Sequence, residues 1–108
     1  MEESAFAALA EETLERLFDA LDAAIGDDAE VDFEGGILTI ELEDGRQYVI
    51  NKHGASQEIW VSSPISGAAH YAYNLEAGTW ISTRGGDVLS HTLATELGQV
   101  SGQSLNLD

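Results

Sequence analysis

The chain reads as an α+β fold, a two-layer sandwich of two helices on one face of an antiparallel sheet of five to seven strands, forming one domain over residues 1–108. Two observations predict this class. Apolar residues recur at helical spacing up to Ile25, alternate from Val31, and return to helical spacing after Asp87. Each helix has a single apolar stripe, so both must cover the same side of the sheet and leave its other side to water.

Taking the elements in order, Ser4 to Ile25 is predicted to be helical. Phe6, Leu9, Leu14, Leu17, Leu21 and Ile25 define its apolar stripe. Glu12, Glu15, Asp19 and Asp22, three or four apart, stack as an acidic ridge on another face. Like charges at those spacings cost about 0.2–0.5 kcal/mol per pair, and only Arg16 is placed to relieve them. Gly26-Asp27-Asp28 ends the helix. Val31 and Phe33 then alternate with Asp32 and Glu34; after Gly35-Gly36, Leu38, Ile40 and Leu42 alternate with Thr39, Glu41 and Glu43. Asp44-Gly45 predicts a two-residue hairpin turn. Further strands are expected over Arg46–Asn51, Glu58–Ser62, His70–Tyr73 and Thr79–Ser82, with a turn over Asn74–Gly78. Asp87 is the expected N-cap of a second helix with Leu89, Leu93, Leu97 and Val100 on its one apolar face.

In the fourth strand Ile59 and Val61 should face the helices, which turns Glu58, Trp60 and Ser62 outward. An indole on an open sheet face is the type of anchor enriched in interface hot spots. The alternative is a core tryptophan displaced by a bulge. Trp80 reads as structural or half-exposed.

Charge is the other informative feature. Fifteen of the twenty carboxylates precede Gly45, against Arg16 alone, and the net charge is −16. The remainder is nearly balanced, so this is no uniform salt adaptation. Such a field repels nucleic acid and anionic lipid and suits metal cations or a basic protein surface. Without cysteine there is no disulfide, thiolate catalyst or zinc knuckle. No membrane span or targeting segment is visible, so the cytosol is expected; a mature organellar form would look the same. Carboxylates are hard ligands that favour Fe³⁺, Fe²⁺, Mn²⁺ or Ca²⁺. Neither a D-x-D-x-D-G calcium loop nor an E-x-x-H pair occurs, so open, exchangeable coordination is expected where the first helix meets the first strand. The plain alternative is a solvated acidic face. No nucleophile triad or phosphate loop emerges, and the chain is not expected to be an enzyme.

The segment from Asn51-Lys52 through Gln57-Glu58-Ile59-Trp60-Val61 to Ser62-Ser63-Pro64-Ile65-Ser66-Gly67 resembles the signature of the frataxin family, which includes bacterial CyaY proteins. The acidic first helix and strand, the Gly35-Gly36 pair, the Asp44-Gly45 hairpin and the closing helix follow in the family's order. The resemblance implies an iron-binding protein of iron–sulfur cluster assembly that docks on the complex of cysteine desulfurase and scaffold protein, as iron donor or iron-dependent regulator. It implies weak, exchangeable iron (Fe²⁺ or Fe³⁺) on Glu15, Asp19, Asp22, Asp27, Asp28, Glu30, Asp32 and Glu34. Partner contacts fall to Asn51, Gln57 and Trp60, with His70 the histidine best placed to join them and Glu12, Glu41 and Glu43 facing a basic patch. A weak ferroxidase and a metal-independent acidic interaction module are the alternatives. The chain is expected to be a monomer, with iron-driven oligomers left open. Three departures make the docking face less basic than is common in the family. Glu58 stands where Gln is usual, His70 replaces a basic residue, and His53 follows Asn51-Lys52 where relatives carry Gln or Arg.

Overall fold

The computed structural model describes residues 1–108. In chain order the elements are α1 (Glu3–Ile25), β1 (Glu30–Glu34), β2 (Ile37–Glu41), β3 (Gln47–His53), β4 (Glu58–Ser63), β5 (Gly67–Asn74), β6 (Thr79–Ser82) and α2 (Leu89–Ser101). The six strands form one antiparallel meander in sequential order. Both helices pack on the same side of it. Their stripes (Phe6, Leu14, Leu17, Leu21 and Ile25 from α1; Leu89, Leu93 and Leu97 from α2) share one core with Leu38, Ile40, Tyr48, Ile50, Ile59, Val61, Tyr71 and Trp80. Because strand side chains alternate, the residues between those positions form the open face.

Turn chemistry sets the register. Gly35 and Gly36 both have positive φ, 61° and 78°, the requirement of a two-residue type I′ hairpin, and they close β1 on β2 at Glu34↔Ile37. The next hairpin differs from the two-residue turn expected at Asp44-Gly45. Only Gly45 has positive φ (90°). Gly45 N–H donates to Leu42 O, and Leu42 N–H to Arg46 O. Glu43, Asp44 and Gly45 therefore form a three-residue loop with a glycine bulge, a geometry in which Asp44 needs no left-handed backbone. The Asp44 carboxylate is used instead to hold Arg46, through its N–H (3.0 Å) and its Nε–H (2.7 Å).

Two further expectations need correction. Asp87 does not cap α2: Val88 occupies that position, with no side-chain cap. Asp87 O accepts Ser82 N–H (2.8 Å) and Val88 bridges to Ile81, so this stretch pairs with the sheet before the helix begins. Val100 is 38% exposed, because the sandwich opens there into a cleft of about 400 Å³ between the C-terminal ends of α1 and α2 and the β2–β3 hairpin. Trp80 is fully structural: it is buried, its Nε1–H donates to Thr13 Oγ1 (2.9 Å), and Phe6 and Tyr73 pack edge-on against it. The tail after α2 returns along the helix and adds Leu107 to the core.

Candidate functional site

Two patches carry the residues singled out above. The first is an acidic edge. Glu12, Glu15, Asp19 and Asp22 are all exposed on α1, away from its buried stripe. Asp27 and Asp28 lie in the turn after α1, kept there by the Asp28 and Ala29 N–H groups that donate to Ile25 O. In β1, Val31 and Phe33 turn toward α1, where Phe33 meets Phe18 at 6.2 Å, so Glu30, Asp32 and Glu34 must point to the open side. Register places Glu30 directly opposite Glu41, a like-charge pair that costs stability. Asp27, Asp28, Glu30, Glu41 and Glu43 line one open cleft of about 420 Å³; Glu30, Asp32 and Glu41 line a smaller, more enclosed one of about 330 Å³ beside it.

None of these carboxylates forms an ion pair; the only Asp–Arg bridge of the N-terminal half is Asp44–Arg46. Nor do any three His, Asp or Glu side chains converge as a set of metal ligands. Glu34 lies at the far end of β1 from Asp28, and Glu15 and Glu12 lie about two and nearly three turns up α1 from Asp22. The donor set therefore fits a hard cation held by one or two carboxylates with water completing its shell. It does not fit a chelating cage.

The second patch is the open sheet face around Trp60. Ile59 and Val61 are buried beneath the helices, which fixes Trp60 on the open side, as its parity requires. One row across the strands reads Glu34, Ile37, Asn51, Trp60, His70. It begins in the acidic edge, passes the exposed Ile37 and ends in aromatic rings. The two patches are thus continuous. Trp60 is only half-exposed, and the cause is not the core. His53 stacks on one face of its indole at 3.7 Å and His70 on the other at 4.4 Å, each within 9° of parallel. Glu58 fastens the stack from the side: its Oε1 accepts Trp60 Nε1–H (2.9 Å) and Ser56 Oγ–H (3.1 Å) and lies 3.6 Å from His70 Nδ1.

Of the remaining candidates, Asn51 sits mid-row, with Nδ2–H donating to Lys52 O (3.2 Å). Gln57 is committed to structure: it takes φ 54° in the β3–β4 turn, and its Nε2–H donates to Met1 O (2.8 Å).

Sequence reasoning missed two groups. His53 was not read as a partner of Trp60; its position beside Trp60 follows from the β3–β4 register. Glu96 is the other. Its Oε1 accepts Ser63 Oγ–H (2.6 Å) and Tyr48 O–H (2.9 Å), and its Oε2 accepts Ser66 Oγ–H (2.7 Å). Ser63 Oγ in turn accepts the Ile65 and Ser66 N–H groups. The Ser63–Ser66 part of the signature therefore ties the β4–β5 loop and β3 to α2. Burial and the adjacent Glu96 carboxylate push the Tyr48 phenol well above its usual range, so it remains a donor. The available signal was that Glu96 is the only acid in α2.

A small α+β protein with an acidic edge continuous with an uncovered aromatic sheet face is the class this geometry defines. Comparison makes it specific: the Frataxin-like domain family matches residues 1–103, and the chain belongs to that family. It is 34% identical to an iron-sulfur cluster assembly protein CyaY of Thioalkalivibrio sulfidiphilus, covering 99% of this chain and 100% of that one. It is 36% identical to a mitochondrial frataxin homolog of Schizosaccharomyces pombe over 82% of this chain and 58% of the relative. Among solved structures, the frataxin of Psychromonas ingrahamii superposes with a TM-score of 0.87 at 26% identity, covering 100% of this chain and 99% of that one. Trimeric frataxin of Saccharomyces cerevisiae, complexed with ferrous iron, gives 0.76 at 31% identity over 94% of this chain and 88% of the neighbour.

Proposed function

We propose that this chain serves iron–sulfur cluster assembly as a non-catalytic carrier of weakly held iron that docks on the cysteine desulfurase–scaffold complex and modulates it there. The observation that carries the reading is the continuity of the two patches. Exposed carboxylates follow one another along α1, the α1–β1 turn and β1, and Glu34 at the end of β1 opens the row that crosses Ile37 and Asn51 to Trp60 and His70. Relatives named for iron–sulfur cluster assembly and a neighbour solved with ferrous iron support the same assignment.

Physically, the arrangement suits cargo. Exposed carboxylates that do not converge bind iron loosely and release it readily, as a donor must. The same charges steer the protein toward a basic surface on the desulfurase, an attraction that weakens with salt. Iron on the edge reduces that attraction, which links iron load to docking.

The test is desulfurase turnover with scaffold present, across a titration of this protein, with and without Fe²⁺. Turnover that depends on both protein and Fe²⁺, and that is blunted by Asp19→Asn/Asp22→Asn, supports the reading. Turnover that changes equally without iron favours a metal-independent interaction module, and oxygen consumption above that of free iron in the same buffer favours a ferroxidase.

A further inference from the structure

We infer that Glu58 and His70 form a second cation site, a mixed oxygen–nitrogen pair beside Trp60 that takes a borderline divalent ion such as Fe²⁺, Co²⁺ or Zn²⁺. The site lies on the open sheet face and shares no residue with the acidic edge. It therefore needs neither iron on that edge nor a docked partner.

Register brings the two side chains together. His70 stands opposite Trp60, and Glu58 precedes Trp60 by two residues on the same strand. All three thus share the open face, with Glu58 and His70 as diagonal neighbours. Glu58 Oε1 and His70 Nδ1 are 3.6 Å apart, too far for a good hydrogen bond. Two ligands each ~2.1 Å from one ion at a tetrahedral angle stand ~3.4 Å apart. A slight closing of the pair therefore seats an ion between them.

Both groups are already oriented by their neighbours, as the ligands of metal sites are. Glu58 Oε1 accepts Trp60 Nε1–H (2.9 Å) and Ser56 Oγ–H (3.1 Å), while Oε2 accepts no hydrogen bond. Ser56 Oγ is bonded in turn to His53 Nδ1 (2.8 Å), which steadies the carboxylate from its far side. The His70 ring lies flat against the indole, 4.4 Å away and within 9° of parallel. Its Nδ1 has no hydrogen-bond partner. The His70 side chain is 43% exposed and that of Glu58 20%, so an ion can enter and water can complete its shell. His53 is not a third ligand, because it stacks on the opposite face of the indole.

The donor set decides which ions enter. Imidazole suits iron and zinc, whereas carboxylates and water suit Mg²⁺, Ca²⁺ and Mn²⁺. The acidic edge offers oxygen alone, so the two regions differ in selectivity. With only two protein ligands the ion is held weakly and exchanges, and the net charge of −16 raises the concentration of cations around it. An ion held here lies against Trp60, where a protein docked on that indole would meet it.

The test is a Zn²⁺ titration of the isotope-labelled protein at about pH 7.5, where free imidazole is mostly neutral, followed by NMR beside an equal titration with Mg²⁺. Zn²⁺ is expected to shift the Trp60 indole N–H and the His70 ring, and Mg²⁺ to leave both in place. The Trp80 indole, buried against Thr13, is the internal reference. Glu58→Gln keeps an acceptor for Trp60 and Ser56, and His70→Gln removes the nitrogen donor. Each should weaken the Zn²⁺ response of the Trp60 indole by about tenfold or more, with the urea midpoint and the response of the α1 and β1 amides unchanged. A Trp60 response that survives both variants, or Zn²⁺ shifts confined to α1 and β1, overturns the site. So does a His91 ring that responds at the same Zn²⁺ concentration as His70, since that is ordinary binding to a surface imidazole. A response at Trp60 with none in α1 or β1 under Zn²⁺, Mg²⁺ or Fe²⁺ supports this site and overturns the iron-carrying edge.

Discussion

Single side chains divide this protein into positions that hold the fold and positions that spend little on it. Trp60 and Trp80 mark the two extremes. Trp80 is enclosed by Phe6, Tyr73 and the Thr13 hydroxyl, so truncating it to Ala should cost about 3–5 kcal/mol, read as a lower urea midpoint. Trp60 rests on the open face between two imidazoles. Trp60→Ala should keep a cooperative unfolding transition and weaken binding to the desulfurase–scaffold complex by about 2 kcal/mol; loss of folding would show that the indole supports the core. Glu96 is a third kind of residue. Glu96→Ala strands Ser63, Ser66 and Tyr48 and should destabilise by about 1–3 kcal/mol, measured by the same denaturation. Asp108 gives a pH signature. Hydrogen bonds from Ser90 (2.6 Å) and then His91 hold its carboxyl below the ordinary value of 3.8. A lowered folded value means that stability is gained above the ordinary value and lost as pH falls through the lowered one. Asp108→Asn should therefore be less stable at pH 7, with the gap closing as pH drops below 3.8.

At the level of helices and strands, the pattern of apolar residues was enough to place every element and the outward parity of Trp60, because period is a local property. What stayed hidden depended on register. The row Asn51–Trp60–His70 exists only because the β3–β4 and β4–β5 hairpins have their particular lengths, and no local pattern states them. Asp87 misled for a related reason: it has the chemistry of a cap, but pairing of Asp87 and Val88 with β6 moved the helix start past it. The Ser63–Ser66 loop was recognisable as a motif, yet its attachment to Glu96 spans 33 residues for Ser63 and 30 for Ser66. The acidic face of α1 was legible, and its cost can be measured. Replacing Asp19 and Asp22 by Asn removes repulsion between Glu15 and Asp19 and between Asp19 and Asp22, about 0.5 kcal/mol in total. A rise in Tm of ~3 °C with weaker iron binding by calorimetry is the expected outcome; unchanged binding would reduce the ridge to a solvated surface.

Across the whole molecule, a net charge of −16 is carried by a body with extents of 38 × 28 × 21 Å, with fifteen of its twenty carboxylates in the first 44 residues. Screening should therefore stabilise it: Tm should rise when NaCl increases from about 50 to 500 mM, as the Debye length shrinks below the spacing between acids. The Asp19→Asn/Asp22→Asn protein should respond less. The sequential strand order has a kinetic consequence. Every ladder joins neighbours along the chain, so the sheet can grow hairpin by hairpin, at low loop-closure cost. The bond from Trp80 to Thr13 spans 67 residues and can form only after that growth brings the first helix against the last strand. Loosening it by Thr13→Ala should speed unfolding while leaving the refolding limb of a chevron nearly unchanged. The meander would then set how quickly this protein is made, and a single indole–hydroxyl contact how long it lasts.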